Sequence, residues 1–121
     1  MKDPNFILLY VEDAARSAMF YADLLGKAPA ESSPTFAMFP LDSGVMLGLW
    51  ARGGVEPKAG PSGGGELAFA VENDASVTAR HADWAARGLS ILQEPIRMDF
   101  GFTFTAADPD GHRLRVFAPG I

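Results

Sequence analysis

The stretch DPDGHRLRVF, residues 108–117, sets two guanidinium groups, Arg113 and Arg115, two positions apart. Alternate residues of a strand share a face, so both arginines lie opposite His112, Leu114 and Val116. A guanidinium aimed into a cavity can pair a ligand carboxylate through two parallel hydrogen bonds. Glu66, at the head of the apolar run ELAFA, could ligate a cation or serve as a general base if burial raised its pKa. His81 falls in a helical pattern and His112 on the core side of a strand. Hydrogen-bonded structural or surface roles are expected for both, rather than metal ligation or base catalysis. The chain has no cysteine, which excludes disulfides, thiolate catalysis and zinc–cysteine sites.

The elements that must position these groups are legible from periodicity. Residues 6–11 form a short apolar strand, followed by Glu12 and Asp13 at a helix start, with Asp13 as N-cap. Ala15, Ala18, Met19, Ala22 and Leu25 recur at helical spacing, and Gly26 ends the helix. Met19, Leu24, Leu25 and Trp84 are expected in the core. PTFAMFPLDSGVMLGLW supplies two strands around the Asp42-Ser43-Gly44 turn. Later, LSILQEPIRM reads as an edge strand interrupted by Pro95, and GFTFTAA and HRLRVFA flank the hairpin turn of Asp108, Pro109, Asp110 and Gly111. Whether Phe102 and Phe104 or Thr103 and Thr105 face inward is open from sequence.

The chain repeats itself. Val11-Glu12 aligns with Val71-Glu72, and Tyr21-Ala22-Asp23 with His81-Ala82-Asp83; DSGVMLGLW is echoed by PDGHRLRVF. Two echoes in the same order point to an internal duplication. Between them ARGGVEPKAGPSGGG, residues 51–65, has no periodicity and reads as an inter-module linker. Its glycines are not a phosphate loop, since no Gly-Lys-Ser/Thr follows and a strand stands where a helix is needed.

The expected organisation of the 121 residues is one α+β domain of two βαβββ modules, residues 1–52 and 63–121, with 53–62 as linker. At 48% hydrophobic the chain can bury a sizeable core, and its net charge of −5 argues against nucleic acid or anionic membrane as partners. No apolar run approaches a membrane span, and MKDPNF lacks the form of a signal peptide. The expected location is the cytoplasm.

The paired modules, the opening VED…FYADLLG and the ending DPDGHRLRVF resemble the vicinal oxygen chelate superfamily. It contains glyoxalase I, extradiol dioxygenases and the fosfomycin- and bleomycin-resistance proteins. Within it, FYADLLGKAP, LGLW and DFGFTFTAADPDGHRLRV are similar to phenazine-antibiotic-resistance proteins. The resemblance implies two curved mixed sheets with helices on their convex sides (the glyoxalase/bleomycin-resistance fold). It also implies four inward positions that ligate a divalent cation in the metal-dependent members. Those positions carry Phe6, Gly48, Glu66 and Arg115 here. One donor and one cation cannot form a coordination shell, so no metal or other cofactor is expected.

Strand parity then assigns Phe6, Leu8, Tyr10, Met46, Gly48 and Trp50 to the concave face of module one. Module two contributes Glu66, Ala68, Ala70, Arg113, Arg115 and Phe117. Phe100, with Asp99 and Gly101, would stand at the rim. The expected ligand-binding set is Phe6, Tyr10, Met46, Gly48, Trp50, Glu66, Phe100, Arg115 and Phe117, suited to a flat, partly polar molecule. Arg115 either holds a ligand carboxylate or is neutralised by Glu66. The leading expectation is metal-independent sequestration of a planar aromatic of phenazine type, with no catalytic residue. The alternatives are a metal-dependent lyase or dioxygenase, a metal-free catalyst using Glu66, and a module serving only protein association. The resemblance further implies a homodimer, with modules paired within or between chains; in the exchanged form Trp50 of one chain would share a pocket with Arg115 of its mate.

Overall fold

The structure is a computed structural model and describes residues 3–120. The chain divides into two compact units, Met1–Gly63 and Gly64–Ile121. The first holds β1 (Phe6–Val11), α1 (Ala14–Leu25), β2 (Glu31–Ser32), β3 (Phe36–Pro40) and β4 (Met46–Ala51). The second holds β5 (Glu66–Ala70), α2 (Asp74–Ala86), β6 (Ser90–Met98), β7 (Gly101–Ala107) and β8 (Arg113–Pro119). Their sheets have matching orders, β1-β4-β3-β2 and β5-β8-β7-β6. In each, the first and last strands run parallel and the remaining pairs antiparallel. The repeat read in the sequence is thus two βαβββ folds.

Both helices begin on side-chain caps. The Arg16 N–H donates to Asp13 Oδ1 at 3.1 Å, and the Ser76 N–H to Asn73 Oδ1 at 2.9 Å. Gly26 closes α1 at a φ of 67°, as expected of a C-cap glycine. The face that α1 buries differs from the expected one. Ala14, Ser17, Ala18 and Tyr21 are buried, Leu24 and Leu25 are half-buried, and Met19 is 75% exposed. The large Tyr21 ring fixes the helix phase, and the small residues one and two turns before it let the helix lie close on the sheet. Met19 is thereby rotated outward. Trp84 is buried as expected, edge-on to Phe69 and Phe104 at 6.0 and 5.4 Å between centroids.

The segment read as an inter-module linker is partly built into the first unit. Arg52–Gly54 forms a 3₁₀ turn, and Val55 and Ala59 are buried. Arg52 spans the loop, its Nε donating to the Gly60 carbonyl at 3.2 Å while Nη1 lies 3.4 Å from Glu12 Oε1. At the far end of α1, Lys27 bonds Asp42 Oδ1 at 2.8 Å. That hydrogen bond, and then the ammonium charge, hold the Asp42 carboxyl below its ordinary range.

The turn of 108–111 is held by a buried carboxylate. Asp108 Oδ1 accepts from the Asp110 and His112 amides, both at 2.9 Å, and Oδ2 lies 2.9 Å from His112 Nδ1. His112 thereby orders the hairpin. His81 packs edge-on against Phe104, and its Nε2 lies 2.7 Å from Glu94 Oε2, out of line for a hydrogen bond. Each histidine has a structural neighbourhood.

The start of β7 depends on one glycine. Gly101 has a φ of 143°, and a Cβ there would stand 2.0 Å from the Ala118 carbonyl oxygen. Gly111, at a φ of 88°, has nothing within 4 Å of such a carbon. Gly101→Ala should therefore cost about 2–4 kcal/mol, combining backbone strain with overpacking, and more than Gly111→Ala, which incurs only strain. Urea unfolding of the two variants checks the order; equal losses would contradict the close approach.

Candidate functional site

In the first unit, parallel pairing sets Phe6 beside Met46, Leu8 beside Gly48 and Tyr10 beside Trp50. Antiparallel β3 adds Met38 beside Gly48 and Phe36 beside Trp50. Leu9, Val11, Ala37, Phe39, Leu47 and Leu49 take the opposite parity and are buried on the α1 side. The helix-free face remains open: Phe6, Leu8 and Tyr10 are 42%, 43% and 37% exposed.

Gly48 shapes this face. A Cβ on it would lie 2.6 Å from Leu8 Cδ2, 2.9 Å from Phe6 Cε1 and 3.3 Å from Phe36 Cε1. The three side chains settle over the glycine, toward the sheet, because it has no side chain of its own. Above them is an open cleft of about 480 Å³ lined by Phe6, Leu8, Glu31, Phe36 and Trp50, within the size range of small-molecule sites. Tyr10 meets Trp50 edge-to-face at 6.4 Å and 73°. Tyr10 and Met46 extend the same face beyond the cleft lining.

The second unit presents different chemistry. Glu66, Ala68 and Ala70 pair with Arg113, Arg115 and Phe117, and Thr103 and Thr105 join them from β7. The threonines face inward, while Phe104 is buried on the α2 side. Arg115 is the centre of this face. Its Nε donates to Glu66 Oε2 at 3.0 Å and Nη2 to Glu66 Oε1 at 3.5 Å; Nη1 donates to Gln93 Oε1 and Thr103 Oγ1, both at 3.2 Å. The Arg115 side chain is 15% exposed and that of Glu66 37%. Most of the five guanidinium N–H groups are therefore engaged within the unit. Of the two roles open from sequence, pairing with Glu66 is the one formed, and a ligand carboxylate would have to displace Glu66 to take the fork.

Phe100, in the turn between β6 and β7, lies over the Arg115 guanidinium at 5.7 Å and edge-on to Phe117 at 5.9 Å. The guanidinium thus meets an aromatic face as well as its hydrogen-bond partners. Sequence reasoning left Thr103 and Thr105 open as one of two alternatives for this face, and missed Gln93 beside Arg115 and Glu31 and Phe36 in the cleft. Phe36 had a signal, since it shares parity with Trp50 across the turn; Glu31 sits on a two-residue strand with no periodicity to read.

The residues at the superfamily's metal positions do not fit a metal. Phe6 and Gly48 offer no donor, and the Glu66 carboxylate is held by a guanidinium. Among the described residues, no three His, Cys, Asp or Glu side chains group together, whereas calcium, zinc and the transition metals need several converging donors.

Comparison with known proteins agrees with this architecture. The profile of the Glyoxalase/Bleomycin resistance protein/Dioxygenase superfamily matches residues 4–116. The phenazine antibiotic resistance protein EhpR of Enterobacter agglomerans is 31% identical over 116 residues, covering 93% of this chain and 89% of that one. A protein of Agrobacterium tumefaciens, solved in solution by NMR, is 56% identical with a TM-score of 0.91 over 100% of both chains. A glyoxalase-related enzyme from Fulvimarina pelagi, 24% identical, shares the fold with a TM-score of 0.80 over 98% of this chain and 88% of its own. From its matched length, its two βαβββ units and these relatives, the chain belongs to the glyoxalase/bleomycin resistance protein/dioxygenase superfamily.

Proposed function

We propose that this protein binds and sequesters a planar aromatic small molecule of the phenazine type without using a metal. The observation that carries the reading is the open aromatic cleft of the first unit, whose floor is formed by Phe6, Leu8 and Phe36 over Gly48 and which Trp50 also lines. Flat apolar walls suit a fused-ring ligand, and the similarity to a phenazine resistance protein favours the same class. Tyr10 and Met46 would extend the apolar contact. The second unit, taken by itself, presents Phe100, Phe117 and the Arg115–Glu66 pair, a more polar surface than the cleft.

Titration with phenazine, followed by tryptophan fluorescence, tests this reading. Trp84 is buried against Phe69 and Phe104, so saturable quenching is expected to come from Trp50 and to vanish in Trp50→Ala. An aromatic contact contributes about 0.5–1.5 kcal/mol beyond area burial, so calorimetry should find Trp50→Ala about 2- to 12-fold weaker. Absence of saturable binding by the native protein to any planar aromatic would overturn the proposal.

Chelator treatment is expected to leave both affinity and melting temperature unchanged, given the donor set at Phe6, Gly48, Glu66 and Arg115. A melting temperature lowered by EDTA and restored by a divalent ion would favour a metal-dependent lyase or dioxygenase instead.

Self-association and residence in the cytoplasm belong to the same reading. Among the described residues no helix is long and apolar enough to cross a membrane. Phe6, Leu8 and Tyr10 are exposed side by side on the helix-free face of the first unit, an apolar surface that a second copy of the chain could cover. Sedimentation equilibrium should return twice the chain mass; a monomer at all concentrations would refute the homodimer.

A further inference from the structure

The cleft of the first unit carries one kind of charge. Four of its lining residues, Phe6, Leu8, Phe36 and Trp50, are apolar, and the fifth is Glu31. Glu31 opens β2 and lies opposite Met38, which in turn lies opposite Gly48. Shared parity therefore places Glu31 on the helix-free face, at the outer edge of the sheet. Among the described residues nothing hydrogen-bonds or ion-pairs with its carboxylate. Two cations of the same unit are committed elsewhere: Lys27 to Asp42 and the Pro40 carbonyl, Arg52 to Glu12 and the Gly60 carbonyl.

We infer that this cleft selects planar aromatics bearing a positive charge or a protonated amine, with Glu31 as the specificity-determining residue. The inference rests on the reading that the cleft takes planar aromatics, and it names the class it prefers. Two forces act in the same direction. The Glu31 carboxylate attracts a cation at the cleft rim, and the quadrupoles of the lining aromatic rings, Trp50 and Phe36 among them, favour a cation over an anion. An anionic ring meets repulsion from both, within a chain of net charge −5. A neutral ring gains only stacking and apolar burial. The apolar lining strengthens the attraction, while the exposure of Glu31 to water weakens it. The resulting preference for a cation over its neutral analogue is that of a partly solvated ion pair, about 2- to 5-fold in Kd.

Three ligands of nearly one shape separate charge from stacking: phenazine, the N-methylphenazinium cation and a phenazine carboxylate. Each is titrated calorimetrically against the native protein, Glu31→Gln and Glu31→Lys, at low and at high salt. Using the ratio of affinities within one variant cancels any difference in stability between variants. The native protein should bind the cation tightest and the carboxylate weakest, and added salt should shrink the difference. In Glu31→Gln the cation-to-neutral ratio should fall toward one, and in Glu31→Lys the order should invert. If the native protein binds all three but the ratio is the same in Glu31→Gln, or if the carboxylate binds tightest, this inference is overturned and the aromatic reading stands. If the native protein binds none of the three, both fall together.

Discussion

The parallel pairing of first and last strands in each unit is the constraint on which the rest depends. A parallel ladder cannot be closed by a tight turn, so the chain must cross over between β1 and β4 and again between β5 and β8. In each unit the crossover includes a helix, which lies on one face of the sheet. One set of alternating residues, Leu9, Val11, Leu47 and Leu49 in the first unit, is consumed in packing against it. The other set is left without a helix to cover it, and ligand chemistry becomes available there. Topology thus frees one side of the sheet before any particular side chain is specified.

The two units use that freedom differently. In the first, Gly48 lets Phe6, Leu8 and Phe36 sink toward the backbone, and the result is an apolar hollow. In the second, a mostly buried guanidinium must find acceptors or bear the cost of desolvation. Glu66, Gln93 and Thr103 supply them, drawn from three different strands. Thr103 also donates to the Val116 carbonyl at 2.9 Å, which ties the polar cluster to the backbone of β8. Arg115 therefore orders its own face whatever else meets it, and Phe100 and Phe117 present rings beside it.

Much of this was legible because strands alternate with a fixed period. Arg115 and Phe117, or Gly48 and Trp50, share a face by counting alone, and the duplicated pattern carried the fold. What counting could not supply were residues outside a clean period. The register of β6 shifts between Ile91 and Ile96, so Gln93 reaches Arg115 by an irregularity that no alternation forecasts. Glu31 belongs to a strand too short to have a period. Helix phase failed for Met19 because a helix of small residues offers two apolar stripes, and only packing of the Tyr21 ring distinguishes them. The Glu66–Arg115 pair was foreseen as one of two roles; choosing between them required distances.

The irregular β6 has a consequence for solubility. It is the outermost strand of its sheet, and Leu92, Ile96 and Met98 are exposed along it. A straight apolar edge of that length would be a template for pairing with the edge of another molecule, the first step toward fibrils. Pro95 removes one backbone donor from the strand, and the register shifts on either side of Gln93 bend its path. The same kink that delivers Gln93 to Arg115 therefore interrupts a surface on which the protein could otherwise aggregate.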